Sequence, residues 1–242
     1  SGYKQLQTLP NIDINIKVGD SLLSKYPVQN GRLIADYLTR DERADRKRDS
    51  LKNSLIEYRQ LVQEYKTGKS QSSKMMLRQK IAGIKSRMVE DVQIEMFDEY
   101  KGSAGDTIDF SNSLEWMFEF PEILDGEGRF TGFDAIIGNP PYIQLQSNNS
   151  LLGNLYEQRN YNTFFKQGDL YCLFIERAHS LLRNNGEFGF IVPNTWLQSF
   201  SFSPLRLFLT SYFRWNQIAL THKVFADATV DTHCLLFTKS KE

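Results

Sequence analysis

The sequence predicts an α/β protein: a partial doubly wound, Rossmann-like sheet interrupted by a long antiparallel helical hairpin. Three observations carry this. From about Gly105 onward, strand-like apolar runs alternate with helical segments. Before that point, two successive series of apolar residues recur at helical spacing. Finally, the stretch "GFDAIIGNPPYIQLQ" at 132–146 sets Asn139, Pro140, Pro141 and Tyr142 directly behind a run that reads as a buried strand.

In chain order, "IDINIKV" at 12–18 alternates apolar and polar residues at period two and leads into "GDSLL", which predicts a strand followed by a loop carrying Asp20 and Ser21. From Leu33 to Tyr65 the spacing turns helical, most clearly at Leu51, Leu55, Tyr58, Val62 and Tyr65. A second series runs Leu77, Ile81, Ile84, Met88, Val92, Met96, and "KTGKSQSS" between the two is a turn. One apolar stripe per helix is enough for the two to pair with each other and little beyond. The charge-dense run "TRDERADRKRDS" mixes both signs and reads as a solvated helix face.

After the aromatic "SLEWMFEFPEIL" and the turn "DGEG", the strand "FDAIIG" is followed by the helix "LYCLFIERAHSLL", closed by "RNNGE". Next come a strand "FGFIV", a helix from "NTWLQSF" into "PLRLFLTSYF", and a final strand pair "WNQIALTH" and "HCLLFTK". This order is the back half of a doubly wound sheet with an antiparallel last strand. The expected organisation is a strand and loop at 1–27, an inserted hairpin at 28–104 and an α/β region at 105–242.

Composition narrows the function classes. At 242 residues, 40% hydrophobic and 13% aromatic, the chain can bury a sizeable core. Lys plus Arg and Asp plus Glu stand at 29 each, so no global basic field draws nucleic acid, and any such partner is held by a local patch. Cys172 and Cys234 sit in apolar runs and read as small buried hydrophobes rather than a disulfide or metal pair. His179, His222 and His233 fall mid-helix or at strand ends and suggest no metal site. No apolar run approaches the ~18 residues of a membrane span.

The chemistry concentrates at "NPPY". Ligands of open α/β sheets bind beyond the carboxyl ends of the strands, where this motif begins. Each proline restricts its own φ and pushes the preceding residue to extended geometry, so the loop is rigid by covalent structure. Such a loop aims the Asn139 amide oxygen and the Pro140 carbonyl at one point, with the Tyr142 ring face beside it. Two convergent acceptors suit an NH2 group and an aromatic face suits a flat conjugated body, a pairing that adenine satisfies through its N6 amine. Asn-Pro is also an ordinary turn opener. By average composition, however, an exact N-P-P-Y arises by chance in roughly one chain of this length in a thousand.

"FDAIIGNPPYI" resembles the catalytic motif of amino methyltransferases that use S-adenosylmethionine, and the surrounding order resembles the gamma class of N6-adenine DNA methyltransferases. "DLYCLFIERAHSLLRNNGEFGFIVPNTWL" and "KVFADATVDTHCLLFTK" resemble the segments that follow in that class. "SLEWMFEFPEIL" resembles a segment of the large fused restriction-modification enzymes, and "IKVGDSL" their acidic cofactor-loop motif. The similarity covers nearly the whole chain except the hairpin, which looks like an insertion.

The resemblance implies methyl transfer from S-adenosylmethionine to an adenine flipped out of double-stranded DNA, in the cytoplasm of a bacterium or archaeon. Asn139, Pro140 and Pro141 would form the catalytic loop, Tyr142 and Phe225 would hold the base, and Asp20 with Ser21 would contact the cofactor. The implied parent is an enzyme, with no metal. The glycine-rich cofactor loop that precedes the acidic motif in that class does not match "SGYKQLQTLPNIDINIKVG", and no target-recognition region follows the last strands. This predicts a piece of a larger protein, with weak or no cofactor binding of its own. It also predicts that the strand near Ile14, without its usual neighbours, pairs elsewhere or with a second molecule. Two other readings fit parts of the chain. Protein glutamine N5-methyltransferases share "NPPYI" but are compact and lack the hairpin, and a non-catalytic module could use the hairpin to dock a partner.

Overall fold

The computed structural model describes residues 12–24, 28, 44–68, 71–92, 112–147, 151–157, 159–221 and 231–240. The chain divides into two compact units, Ser1–Phe130 and Thr131–Glu242.

The first unit holds α1 (Ile12–Asn15), the long helices α2 (Ala44–Thr67) and α3 (Gln71–Val92), and the single turn α4 (Trp116–Glu119). The strand expected over 12–18 does not form. One helical turn stands there instead, followed by extended residues in which Ile16 and Val18 are 62% and 95% exposed. Alternation alone cannot make a strand, because its main-chain groups need a neighbour. The expectation that Ile14 re-pairs in a sheet falls with it. Among the described residues, the next ones find a partner: Asp20 N–H donates to the Asn112 carbonyl (2.6 Å) and Leu114 N–H to the Asp20 carbonyl (2.9 Å), a parallel bridge.

The two apolar series on α2 and α3 are buried as their spacing predicts, with Leu51, Leu55, Tyr58, Val62 and Tyr65 facing Leu77, Ile81, Ile84 and Met88. Val92 and Met96 lie outside the side chains described, and residues 33–43 lie outside the described backbone. The hairpin also has more than its own partner. Tyr58 donates from its hydroxyl to Glu122 (3.0 Å), the Arg59 guanidinium to the carbonyls of Leu124 and Asp125, and Lys85 to the Glu119 carbonyl (2.6 Å). These long polar side chains join the hairpin to the "SLEWMFEFPEIL" segment, whose Met117, Phe118, Ile123 and Leu124 are buried. Apolar periodicity does not register such contacts.

The second unit is a four-stranded sheet in the order β1-β2-β4-β3, where β1 is Phe133–Gly138, β2 Leu182–Pro193, β3 Phe213–Thr221 and β4 Thr232–Lys239. β1 and β2 are parallel, and β4 runs antiparallel to both β2 and β3. The last strand therefore inserts between the two that precede it. This is the partial doubly wound sheet that the alternating elements predict. Helices α5 (Leu151–Glu157) and α6 (Leu170–Leu181) connect β1 to β2, and α7 (Ser203–Tyr212) connects β2 to β3.

The core lies on one face of the sheet. Phe188, Phe190 and Val192 of β2 and Leu235 and Phe237 of β4 meet Tyr171, Ile175 and Ala178 of α6 and Leu205, Phe208 and Leu209 of α7. Each such side chain contributes about 1.5–3 kcal/mol on burial, so this layer fixes the ends of β1 and β2.

"RNNGE" does not simply close α6. β2 begins at Leu182, which pairs with Phe133, and the register then shifts so that Ala135 meets Glu187. The extra residues bulge, with Asn185 at φ 58°. Gly132, at φ 83°, faces the bulge so closely that a Cβ there would lie 2.5 Å from the Arg183 nitrogen, which admits glycine alone.

Candidate active site

β1 ends at Gly138, against the ring of Phe190. A Cβ on Gly138 would lie 3.0 Å from Phe190 Cε1, so glycine lets the strand end settle onto the core. The chain then leaves the sheet at its carboxyl edge. Asn139 is exposed, Pro140 buried, Pro141 exposed and Tyr142 half-buried. The loop is thus anchored at alternate residues, with the Asn139 side chain on the solvent side.

Tyr142 is held from two directions. Its hydroxyl donates to the main-chain carbonyl of Ile191, at the carboxyl end of β2, over 3.0 Å. Its ring meets the edge of Tyr171 at a centroid distance of 6.4 Å. Tyr171 is itself fully buried and stacked on Phe202 at 5.6 Å. Burial, and then the neighbouring Cys234, push the Tyr142 hydroxyl above its ordinary pKa, so it stays protonated and able to donate.

The segment behind the motif is fastened as well. Leu170 N–H donates to the Ile143 carbonyl (2.8 Å) and Leu145 N–H to the Gly168 carbonyl (2.9 Å), which ties the loop to the start of α6. Between these bonds stands Asp169, at the N-cap of α6 with no capping bond from its side chain. Burial raises the pKa of its carboxyl. On the far side, Arg206 of α7 donates to the carbonyls of Trp196 (2.6 Å) and Ser199 (2.8 Å), fixing the turns that follow β2.

The sequence singles out Asn139, Pro140, Pro141 and Tyr142, and these stand together at the end of β1. It does not single out Tyr171, Asp169 or the Ile191 carbonyl, although "GDLY" carries a turn glycine before an N-cap aspartate and could have drawn attention to the start of α6.

Asp20 and Ser21 belong to the first unit. Asp20 Oδ1 accepts from the main-chain N–H groups of Leu22 (2.9 Å) and Leu23 (3.3 Å), and Ser21 offers its carbonyl to Trp116 Nε1 (3.2 Å). Phe225 and His222 lie outside the described residues. His179 is buried among Phe208, Tyr212 and Phe213. Among the described residues, no group of three or more His, Cys, Asp or Glu is placed to hold a metal ion, and no helix is long and apolar enough to cross a membrane.

Comparison with known proteins places this loop in a context. The chain is 36% identical over 109 residues to the type II restriction enzyme and methyltransferase RM.Eco57I of Escherichia coli, covering 43% of this chain and 11% of that protein. It is 35% identical over 104 residues to the type II methyltransferase M.XhoI of Xanthomonas vasicola, covering 43% of this chain and 17% of that one. A third relative, the type II methyltransferase M.TthHB8I of Thermus thermophilus, is 35% identical over 113 residues, covering 44% of this chain and 26% of its own. The chain thus spans from about a tenth to about a quarter of the length of these relatives. Among solved structures, the type IIG restriction endonuclease BpuSI superposes with a TM-score of 0.37 at 22% identity, over 44% of this chain and 13% of that one, too partial a match to bear on the fold. The family described as Eco57I restriction-modification methylase matches residues 47–225, about three quarters of the chain and the whole of the loop described above, so the protein belongs to that family.

Proposed function

We propose that the protein is the catalytic part of a DNA adenine-N6 methyltransferase of a restriction-modification system, and that Asn139–Tyr142 is its reacting loop. The observation that carries the reading is the placement of that loop: an exposed Asn139 at the carboxyl end of β1, on a proline-stiffened turn whose Tyr142 is pinned to the end of β2.

On this reading the Asn139 amide oxygen and the Pro140 carbonyl accept the two N–H bonds of the adenine N6 amine. Hydrogen bonds in those directions would draw the nitrogen toward tetrahedral geometry and free its lone pair for in-line attack on a sulfonium methyl. The sulfur–methyl bond would break to release a neutral thioether, and the methylated nitrogen would then lose one proton to solvent. No strong base is needed, because orientation and complementary dipoles supply most of the barrier reduction. Tyr142, with Phe225 as a second aromatic, receives a base extruded from double-stranded DNA. When bound, S-adenosylmethionine supplies an electrophilic methyl group on a sulfonium.

Within the first unit, Asp20 offers a carboxylate, an acceptor that suits the adenine amine of that cofactor. Asp20 and Ser21 are the residues of the first unit that would contact the cofactor, and Oδ1 of Asp20 also serves the turn. The hairpin is an insertion in this reading, and the setting is the bacterial or archaeal cytoplasm. Family membership favours DNA adenine over a protein glutamine amide and over a non-catalytic module. The self-association expected from an unpaired strand at Ile14 loses its ground, because no strand forms there.

The test is to incubate the full-length protein with labelled S-adenosylmethionine and duplex DNA, and to hydrolyse the product to nucleosides. Label in N6-methyl-2′-deoxyadenosine supports the assignment. Label in cytosine or in protein glutamine, or none in DNA, contradicts it.

A further inference from the structure

A cleft of about 340 Å³ opens in the first unit, between α1, the hairpin and α4. The ammonium groups of Lys17 and Lys85 both turn to one carboxylate there, at 3.4 Å and 3.1 Å from Glu119 Oε2. Their side chains are only 18% and 12% exposed, so solvent screens them poorly. Lys85 spends a further hydrogen on the Glu119 carbonyl (2.6 Å), and its Nζ lies 5.8 Å from the centroid of the Tyr58 ring.

The charges do not balance. Tyr58 adds no negative charge, because burial and then Glu122 drive its hydroxyl far above the ordinary range, and that hydroxyl is bonded to Glu122. Two ammonium groups therefore share a single carboxylate in a poorly solvated recess. The strain shows on Lys85, which burial and then its contact with Lys17 pull down to about 8. At neutral pH it remains mostly protonated, so the excess positive charge persists. The hairpin and α4 need only one of these cations to be joined to Glu119, so the second is surplus to a structural role. Ile14, Ile81 and Ala82 give the cleft an apolar wall, Arg78 and Ser86 complete the lining, and the volume falls within the ~300–1,000 Å³ of ligand sites.

We propose that this cleft is a binding site for a phosphate-type oxyanion, seated between Lys17 and Lys85 with an apolar wall for the group that carries it. The charge-assisted bonds to a tetrahedral oxyanion complete what Glu119 leaves short. Two sources share this chemistry, a free phosphate compound and the phosphodiester backbone of DNA.

The test follows the side-chain amine signals of isotope-labelled lysines in the 242-residue protein by NMR, during titration with inorganic phosphate and, separately, with a short DNA duplex. Saturable shifts of Lys17 and Lys85, with the Lys85 midpoint rising from about 8 toward the ordinary 10.5, are the expected result. Lys17→Met should weaken the response at least tenfold. Glu119→Gln, which removes the competing carboxylate, should strengthen it several-fold, a direction that loss of fold cannot mimic. Saturation by duplex at a lower concentration than by phosphate assigns the phosphodiester, and response to phosphate alone assigns a free phosphate compound. Silence of both amines to both probes, or a response unchanged in Lys17→Met, overturns the proposal.

Discussion

The hydroxyl of Tyr142 and the main-chain carbonyl of Ile191 are joined by a 3.0 Å hydrogen bond, which links the last residue of the "NPPY" loop to the carboxyl end of the neighbouring strand. Tyr171 lies nearly perpendicular against the half-buried Tyr142 ring. The bond therefore orients the platform rather than forming part of it. Tyr142→Phe keeps the ring and removes the link, at a cost of about 1 kcal/mol in stability. In the full-length protein it should lower single-turnover methyl transfer about tenfold, while Tyr142→Ala, which also deletes the stacking surface, should lower it further. Equal rates for the wild type and Tyr142→Phe would show that the hydroxyl does not position the loop.

Lys239 is buried at 2% exposure and donates from Nζ to the carbonyls of His179 (3.0 Å) and Leu182 (3.1 Å), at the end of α6 and the start of β2. It satisfies helix-end carbonyls and adds a positive charge where the helix dipole favours one. Lys239→Met retains the stem but strands both acceptors, and should destabilise the protein by about 1–3 kcal/mol. Urea unfolding with an unchanged midpoint would refute this account of the residue.

Burial, with a smaller contribution from nearby Lys239, pulls His179 down to about 3 from its ordinary 6.5. The folded state thus holds the imidazole neutral while the unfolded chain takes up a proton. Its contribution to stability is fully present above pH 6.5 and is lost progressively as the pH falls toward 3, by about 1.4 kcal/mol per pH unit. His233, also lowered by burial, adds to the same trend. Unfolding free energies for the wild type and His179→Leu should diverge between pH 6.5 and pH 5, with the wild type falling faster. Parallel curves would contradict the assignment.

A fourth prediction concerns the cofactor. Isothermal calorimetry of the 242-residue protein with S-adenosylmethionine should give no binding in the micromolar range. Tight, saturable binding would contradict that expectation.

Much of this was legible in the residues. The apolar series through Leu51, Leu55 and Tyr58 and through Leu77, Ile81 and Ile84 marked the hairpin because helical burial repeats at a fixed period. "NPPY" marked the candidate site because two prolines dictate geometry wherever they stand. Three features were not legible. "IDINIKV" has a strand's alternation, but pairing is decided by a neighbour that the local pattern does not contain. The bulge at Asn185 depends on how closely Gly132 approaches β2. The link from Tyr142 to Ile191 joins residues far apart in sequence, and one of its two groups is a main-chain carbonyl that no side chain announces.

In the proposed function the Asn139 side chain accepts a hydrogen bond from the reacting amine. Asn139 is exposed and begins a loop fixed through Pro140 and Tyr142, so Asn139→Ala should leave the fold intact. Single-turnover methylation of duplex DNA by the full-length protein tests it directly. Loss of one preorganised dipole of this kind should slow transfer by about 10²–10³-fold or more, with the unfolding midpoint unchanged. Near-normal transfer by Asn139→Ala would contradict the assigned role and the reading of "NPPY" built on it.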